Sequence, residues 1–271
     1  MRNSKLALAL LLLIFASSFT MIVVKAQPLP EDVVVPVLQN PVSLDGVIGV
    51  NEWSDAVELP VTFRFYNSTT PPWEIVENRT GFIYLKHDCT DLWVSVNMED
   101  PTNDSQSWLA VWYDTNGDEN IPGSGDDEKG VMHPDEVFDA ALIPTPPGYD
   151  NDTDLGGSLD IQGASGWAAS WLTYEFVHPL NSGDTVGNDP SLNPGDEILA
   201  EFMVGDPEVG SMLYGYAYTE QWAYMINLII TPCPVGGEIL PINYLELMAP
   251  FLTVFAIAAT VTVALFKRKP T

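Results

Sequence analysis

The chain has 271 residues, with 37 acidic against 10 basic side chains and a net charge of −27. Hydrophobic residues at 46% and aromatics at 11% supply core material, which excludes a disordered acidic chain. The scarcity of Lys and Arg excludes sequence-independent binding to nucleic acid and docking on an anionic lipid surface, and two cysteines are too few for a disulfide scaffold or a four-cysteine zinc site.

At the amino terminus Arg2 and Lys5 precede an apolar run over residues 6–15, and Val24-Lys25-Ala26 follows before Gln27-Pro28. This pattern predicts a secretory signal over residues 1–26. An uncleaved anchor is the alternative. At the other end residues 247–266 carry no charge and are long enough to span a bilayer as a helix. Lys267-Arg268-Lys269 stops that run, so the expectation is a single-pass membrane protein with residues 267–271 cytoplasmic and the rest of the mature chain extracellular.

Between these ends, residues 27–234 read as one all-β domain and 235–246 as a stalk. Period-two patterns and turn clusters recur, with no sustained helical period. Strands are expected at 33–37, 59–66, 81–86, 91–98, 108–113, 137–143, 168–177, 198–204 and 222–230. Residues 81–86 and 91–98 form a hairpin around His87-Asp88-Cys89-Thr90, with Leu92, Val94, Val96 and Met98 on one face. About nine strands suffice for a β-sandwich. Loops are expected over 114–130, 144–157 and 181–196. All 37 acids lie before residue 247 and after residue 26, against only Arg64, Arg79, Lys86 and Lys129, so this part carries a net charge of −33. Such a surface attracts divalent cations.

The loop Asp114-Thr115-Asn116-Gly117-Asp118-Glu119-Asn120 places oxygen side chains at alternate positions, and Asp126, Asp127 and Glu128 follow. Calcium takes six to eight oxygens, so Asp114, Asn116, Asp118, Asn120, Asp126 and Asp127 are candidate ligands. The loop is not an EF-hand, because Glu119 and Gly125 stand where that motif needs Gly and Glu. A solvated turn is the alternative. Sugars dock on exposed aromatic faces. Trp108 and Trp112 share one face of a strand, and Trp73 and Trp167 are read as surface loop residues, whereas Trp53, Trp93 and Trp222 are read as core. Cys89 and Cys233 both lie outside the membrane, where disulfides persist. Their pairing would close a long loop and stabilise by up to about 4–5 kcal/mol in the chain-entropy model. Sequons at Asn67, Asn78, Asn103 and Asn151, each among turn residues, fit glycosylation of an exported segment. His87, His133 and His178 form no catalytic motif, and acid pairs on so acidic a chain carry no specificity, so no enzyme activity is expected.

Several short segments carry a resemblance. Leu44-Asp45-Gly46-Val47-Ile48 with Glu52-Trp53 and Ala56 resembles the opening of family-nine carbohydrate-binding modules. Ile83-Tyr84-Leu85-Lys86-His87-Asp88, Leu92-Trp93-Val94, Asp100 and Trp112-Tyr113-Asp114 are similar to the segments that follow in that superfamily. Tyr174-Glu175-Phe176, Pro179-Leu180-Asn181-Ser182-Gly183-Asp184 and Asn193-Pro194-Gly195-Asp196 resemble one branch, the haem-binding domain of the ethylbenzene dehydrogenase gamma subunit. The resemblance covers roughly residues 40–230 and implies an immunoglobulin-like, DOMON-like β-sandwich. Gly236-Gly237-Glu238-Ile239-Leu240-Pro241 and the span after it resemble the anchors of archaeal surface proteins.

The haem-binding branch implies a b-type haem held by a Met and a Lys. Met132 and His133 lie nearest the expected Met, and His178 is the substitute for the second ligand. The sequence departs from the branch in having no Lys between Lys129 and Lys267. Three readings of a non-catalytic, membrane-anchored surface protein follow: a haem-binding, electron-transfer type domain, a glycan-binding module, and a structural cell-envelope protein.

Overall fold

The computed structural model describes residues 31–67, 74–121, 123–143, 148–184, 186, 188–208, 211–219 and 224–234. The chain divides into two units, Met1–Pro232 and Cys233–Thr271, and the strands below belong to the first. The expected signal 1–26, stalk 235–246, span 247–266 and tail 267–271 lie outside the described residues, as do Trp73 and Trp222. No helix among the described residues is long and apolar enough to cross a membrane.

The described residues form an all-β, sandwich-like sheet structure with 13 strands among them rather than about nine. The strands are β1 Glu31–Val35, β2 Val57–Asn67, β3 Ile75–His87, β4 Asp91–Glu99, β5 Trp108–Tyr113, β6 Asp127–Met132 and β7 Glu136–Ile143. They continue with β8 Gly148–Asn151, β9 Gln162–Ala168, β10 Trp171–Pro179, β11 Glu197–Glu208, β12 Ser211–Tyr218 and β13 Met225–Ile230. One helical turn, α1 Asp152–Leu155, follows β8. Hydrogen bonds link them in the order β8-β7-β6-β5-β11-β12-β2-β3-β4-β10-β9. β13 pairs with β11 and, in parallel, with β1.

The path turns back on itself, so that β5 and β6 face β9 and β10. The Tyr113 hydroxyl on β5 meets His178 Nε2 on β10 at 2.9 Å, and Val131 on β6 fills the space above Gly163 on β9. The main core lies between these layers. Leu109, Val111, Phe202, Phe63, Phe65, Ile83, Leu92, Val94, Val96 and Phe176 are all essentially without solvent contact. Alternation puts them there, since successive strand side chains face opposite ways. Each such burial is worth about 1.5–3 kcal/mol.

The expected single strand 168–177 is in fact the hairpin β9–β10. Ala169 and Ser170 form its turn with φ of 54° and 68°, and Trp171 pairs with Ala168. A two-residue hairpin needs positive φ at both central residues, which Gly and Asn usually supply. Ala-Ser hides that signal. Three further strands fall in or beside the expected loops. β6 closes the loop 114–130, β8 lies within 144–157, and β12 follows β11 with the alternation Leu213, Gly215, Ala217 inward. Asn78 stands exposed within β3, not in a turn; Asn103 and Asn151 are exposed, and Asn67 ends β2 half-buried.

The residues that carry the family resemblance form one structural bolt. Glu175 on β10 has no solvent exposure and accepts hydrogen bonds from Trp53 Nε1 at 2.9 Å and from the Gly46 and Asp45 amides at 2.9 and 3.2 Å. Gly46 has φ of 73° and packs against the backbone of Ser165 and Gly166, where a Cβ would not fit. Beside it the fully buried Lys86 ammonium donates to the carbonyls of Asn40 and Glu52 at 3.0 and 2.5 Å and to Asp55 Oδ1 at 2.8 Å. These residues tie the segment between Asn40 and Asp55 to β3 and β10.

Candidate functional site

The outer face of the sheet β7-β6-β5-β11-β12-β2 carries a second, smaller apolar cluster of Trp112, Leu142 and Met203, with Trp108, Ile121, Tyr214 and Tyr216 packed against it. Strand register builds it. Trp108 pairs with Gly205, Gly205 with Tyr214, and Tyr214 with Tyr66. One rung along, Ala110 pairs with Met203, Met203 with Tyr216, and Tyr216 with Arg64. The small residues let rings lie over the sheet: a Cβ on Gly205 would collide with the Trp108 indole, and one on Gly130 with the Phe138 ring.

The result is a continuous aromatic surface. Trp108 meets Phe138 and Tyr214 edge-on at 6.4 and 6.0 Å, and Tyr216 meets Trp112, Tyr66 and Tyr224 at 6.4, 6.0 and 5.4 Å. Such edge-to-face contacts fix ring orientation. The Tyr66 and Tyr224 hydroxyls are 2.6 Å apart, and the Arg64 guanidinium lies 3.3 Å over the Tyr218 ring. Trp112 is buried, whereas Trp108, Tyr66, Tyr214, Tyr216, Tyr218 and Tyr224 are half-exposed. Two carboxyls punctuate this face. Glu128 pairs with Trp112 across β6–β5, and Glu201 with Trp112 across β11–β5. Burial pushes Glu128 up to about 7 and Glu201 up to about 8, so Glu201 is mostly protonated at neutral pH and can both donate and accept. Trp108 and Trp112 were expected on one face from their spacing. Tyr214, Tyr216 and Tyr218 were missed, though the alternation of tyrosines in one short segment is the same signal.

Trp167 is a strand residue of β9, not a loop residue. It is 36% exposed, and its indole N–H donates to the Asp100 carbonyl at 2.9 Å. Trp53 is core, as expected, and Trp93 is half-buried with its indole directed at Asp88.

In the acidic loop, Asp114 organises the turn. Its two carboxylate oxygens accept from the amides of Gly117, Asp118 and Glu119 at 2.7, 3.2 and 2.9 Å. Asn116 accepts from the Asp118 amide and donates to the Ser124 carbonyl, and Asp118 accepts from the Asn120 amide. The loop brings together carboxylate oxygens of Asp114, Asp118 and Asp126, which lie within 4.8 Å of one another. Asp126 is fully buried with Oδ1 unpartnered, and burial pushes it up to about 6. Asp127 does not belong to this group. It is the first residue of β6 and faces the opposite way, toward Lys129, Asp139 and Asp189. Alternation along a strand separates neighbours that sequence proximity had joined. An open groove of about 570 Å³ runs between Asp114–Gly117 and the segment that holds Asp189, Asp196 and Glu197.

The haem candidates do not converge on a haem site. Met132 ends β6 opposite Trp108 on the outer face. His133 Nδ1 is 2.9 Å from Ser165 Oγ. His178 is 1% exposed in the core, with Nε2 on the Tyr113 hydroxyl and Nδ1 on the Pro179 carbonyl at 2.8 Å. Burial, with the Lys129 charge second, pushes His178 down to about 3. Both of its nitrogens are committed, so these residues do not fit an axial pair. Neither cysteine is a free thiol; Cys89 and Cys233 are both disulfide-bonded.

No protein-family model matches the chain, and no curated protein matches it. Among solved structures it is similar to a family-nine carbohydrate-binding module from Caldicellulosiruptor kristjanssonii in complex with cellotriose. The identity is 16% and the TM-score 0.49, covering 79% of this chain and 100% of that one. A family-nine module from the same organism in complex with glucose is similar at 15% identity and a TM-score of 0.49, covering 77% of this chain and 100% of that one. Likeness of this degree identifies neither a ligand nor a site residue.

Proposed function

We propose that the protein is a non-catalytic, membrane-anchored surface protein that binds a glycan on the aromatic face of β5, β11, β12 and β2. The observation that carries this reading is a half-exposed run of Trp108, Tyr214, Tyr216 and Tyr66 on the outer face of a sheet whose other face is the core. A sugar ring presents apolar C–H faces that stack on such rings, and hydroxyls that pair with groups at their edges. The half-exposed Tyr66 and Tyr224 hydroxyls supply those partners. The anchor part of the proposal is supported by the uncharged run 247–266 and the basic stop after it.

Calcium at Asp114, Asp118 and Asp126 belongs to the same proposal as a brace for the loop beside this face. The donor set is all oxygen and holds an unpartnered buried carboxylate oxygen, which fits a hard cation. The test is affinity electrophoresis of the full chain through gels containing soluble glucans, mannans, xylans or chitin oligosaccharides. Retardation by at least one glycan, lost in Trp108→Ala, is expected. Unretarded migration in every gel would end the glycan reading.

A further inference from the structure

We infer that the first unit holds a second calcium ion, at Asp152, Asp184 and Asp189, apart from the loop of Asp114 and Asp118. One oxygen from each of these three carboxylates lies within 4.8 Å of the others. They come from α1 and from two positions of the segment that follows β10, so the fold and not the sequence assembles them.

The independent sign of a ligand is Asp152. It has no solvent exposure, and neither of its oxygens has a hydrogen-bond partner. A carboxylate buried without partners is among the costliest groups in a protein, and it persists where a cation meets it. Space is reserved for it, since a Cβ on Gly157 would collide with Asp152 Oδ2. Asp184 and Asp189 are fixed in place by other bonds. Asp184 Oδ2 accepts from the amide and hydroxyl of Ser158, both at 2.8 Å, and Asp189 Oδ2 accepts from Ser182 Oγ at 2.7 Å.

The neighbouring cluster shows why the ion belongs here. Asp127, Asp139 and Asp189 also converge, but the Lys129 ammonium already sits among them, at 3.5, 2.7 and 2.7 Å, with Asp160 at 3.0 Å. That cluster has its cation. Among the described residues no ammonium or guanidinium is paired with Asp152 or Asp184. Asp189 is shared, so its Oδ1 faces Lys129 while the carboxylate also borders the second group. Six carboxylates over the two clusters thus surround one lysine, and a divalent ion is the complement that the group lacks. An all-oxygen site open on one side to water suits calcium, whose shell is large and flexible, better than magnesium. Asp189 lines the open groove, which gives the ion an entry path.

The test is equilibrium dialysis of the full chain against calcium chloride, with Asp152→Asn, Asp184→Asn and the loop variant Asp118→Asn in parallel. The expected result is that Asp152→Asn and Asp184→Asn each lose one calcium equivalent, or bind it at least tenfold more weakly, and that combining Asp118→Asn with Asp184→Asn loses one equivalent more than Asp118→Asn alone. In excess chelator Asp152→Asn should melt no lower than the parent, because it removes an uncompensated buried charge. That comparison also shows whether the variant folds. If Asp152→Asn does not fold, Asp184→Asn decides alone. Undiminished calcium binding in Asp184→Asn, or no calcium bound by the parent chain, overturns the site.

Discussion

Among the described residues two lysines are buried, and their surroundings differ. Lys86 meets one carboxylate, Asp55, and two backbone carbonyls, over the Trp53 ring at 5.2 Å. Its charge is matched once, and dipoles satisfy the remaining protons. Lys129 meets four carboxylates, two of which, Asp127 and Asp139, have side chains with no exposure at all. Its charge is matched several times over. The first arrangement is a structural bolt that is complete as it stands. The second carries surplus negative charge, which holds Asp139 up near 7 and Asp127 well above the usual carboxylate range, with burial as the larger cause in both. Charge surplus in a dry place is where a protein recruits a cation or holds a proton.

Removing the lysines sharpens this contrast most. Lys129→Met strips the one cation from its carboxylates and should cost about 3–5 kcal/mol, the penalty for an uncompensated buried charge. Calcium should recover part of that loss. Lys86→Met leaves one carboxylate, with a tenth of its side chain exposed, and two carbonyls unmet. It should cost about 1–3 kcal/mol, with no recovery by calcium. Denaturant melts of both variants with calcium or chelator check the pair.

The aromatic face offers a second way to probe buried acids, here with no lysine near. Glu201 titrates near 8 in the folded protein against an ordinary value near 4.5, because of burial. The folded state therefore holds a proton that the unfolded chain gives up. This contribution to stability is complete below about pH 4.5 and is lost as pH rises through 8. Glu201→Gln should then stabilise the protein by roughly 4–5 kcal/mol at pH 9 and change little at pH 4.5, read from melts at the two pH values. Equal effects at both would place the carboxyl in water. The smallest expected effect is at the exposed loop. Asp118→Ala should change stability by less than about 1 kcal/mol in chelator, yet reduce the larger stabilisation by calcium than by magnesium to the share that the separate Asp152 group supplies. Equal stabilisation by both ions, unchanged in the variant, would indicate general screening of the acidic surface.

Much of the fold was legible in alternation. The strand at 108–113 matches β5, and Leu92, Val94, Val96 and Met98 are inward as their spacing demands. β6 was not legible because Asp-Glu-Lys-Gly-Val-Met reads as a solvated loop, and only the fold reveals that Asp127 and Lys129 are an inward pair. β9 hid behind two glycines and a turn made by Ala169 and Ser170. The aromatic face was half legible. Trp108 and Trp112 mark it by spacing, but its partners come from strands β2, β11 and β12, whose order in the sheet no local pattern encodes. Asp152, Asp184 and Asp189 gave no sign at all, since in so acidic a chain one more aspartate carries no information.

The central claim is that ligand binding belongs to the outer aromatic face. Isothermal titration of the full chain with the retarding glycan tests it most directly, with Trp108→Ala on that face and Trp167→Ala on β9 as a matched pair. The account predicts at least tenfold weaker binding for Trp108→Ala and parent-like binding for Trp167→Ala, with both variants folded. Parent-like binding by Trp108→Ala together with loss in Trp167→Ala would contradict it and move the site to the β9 edge.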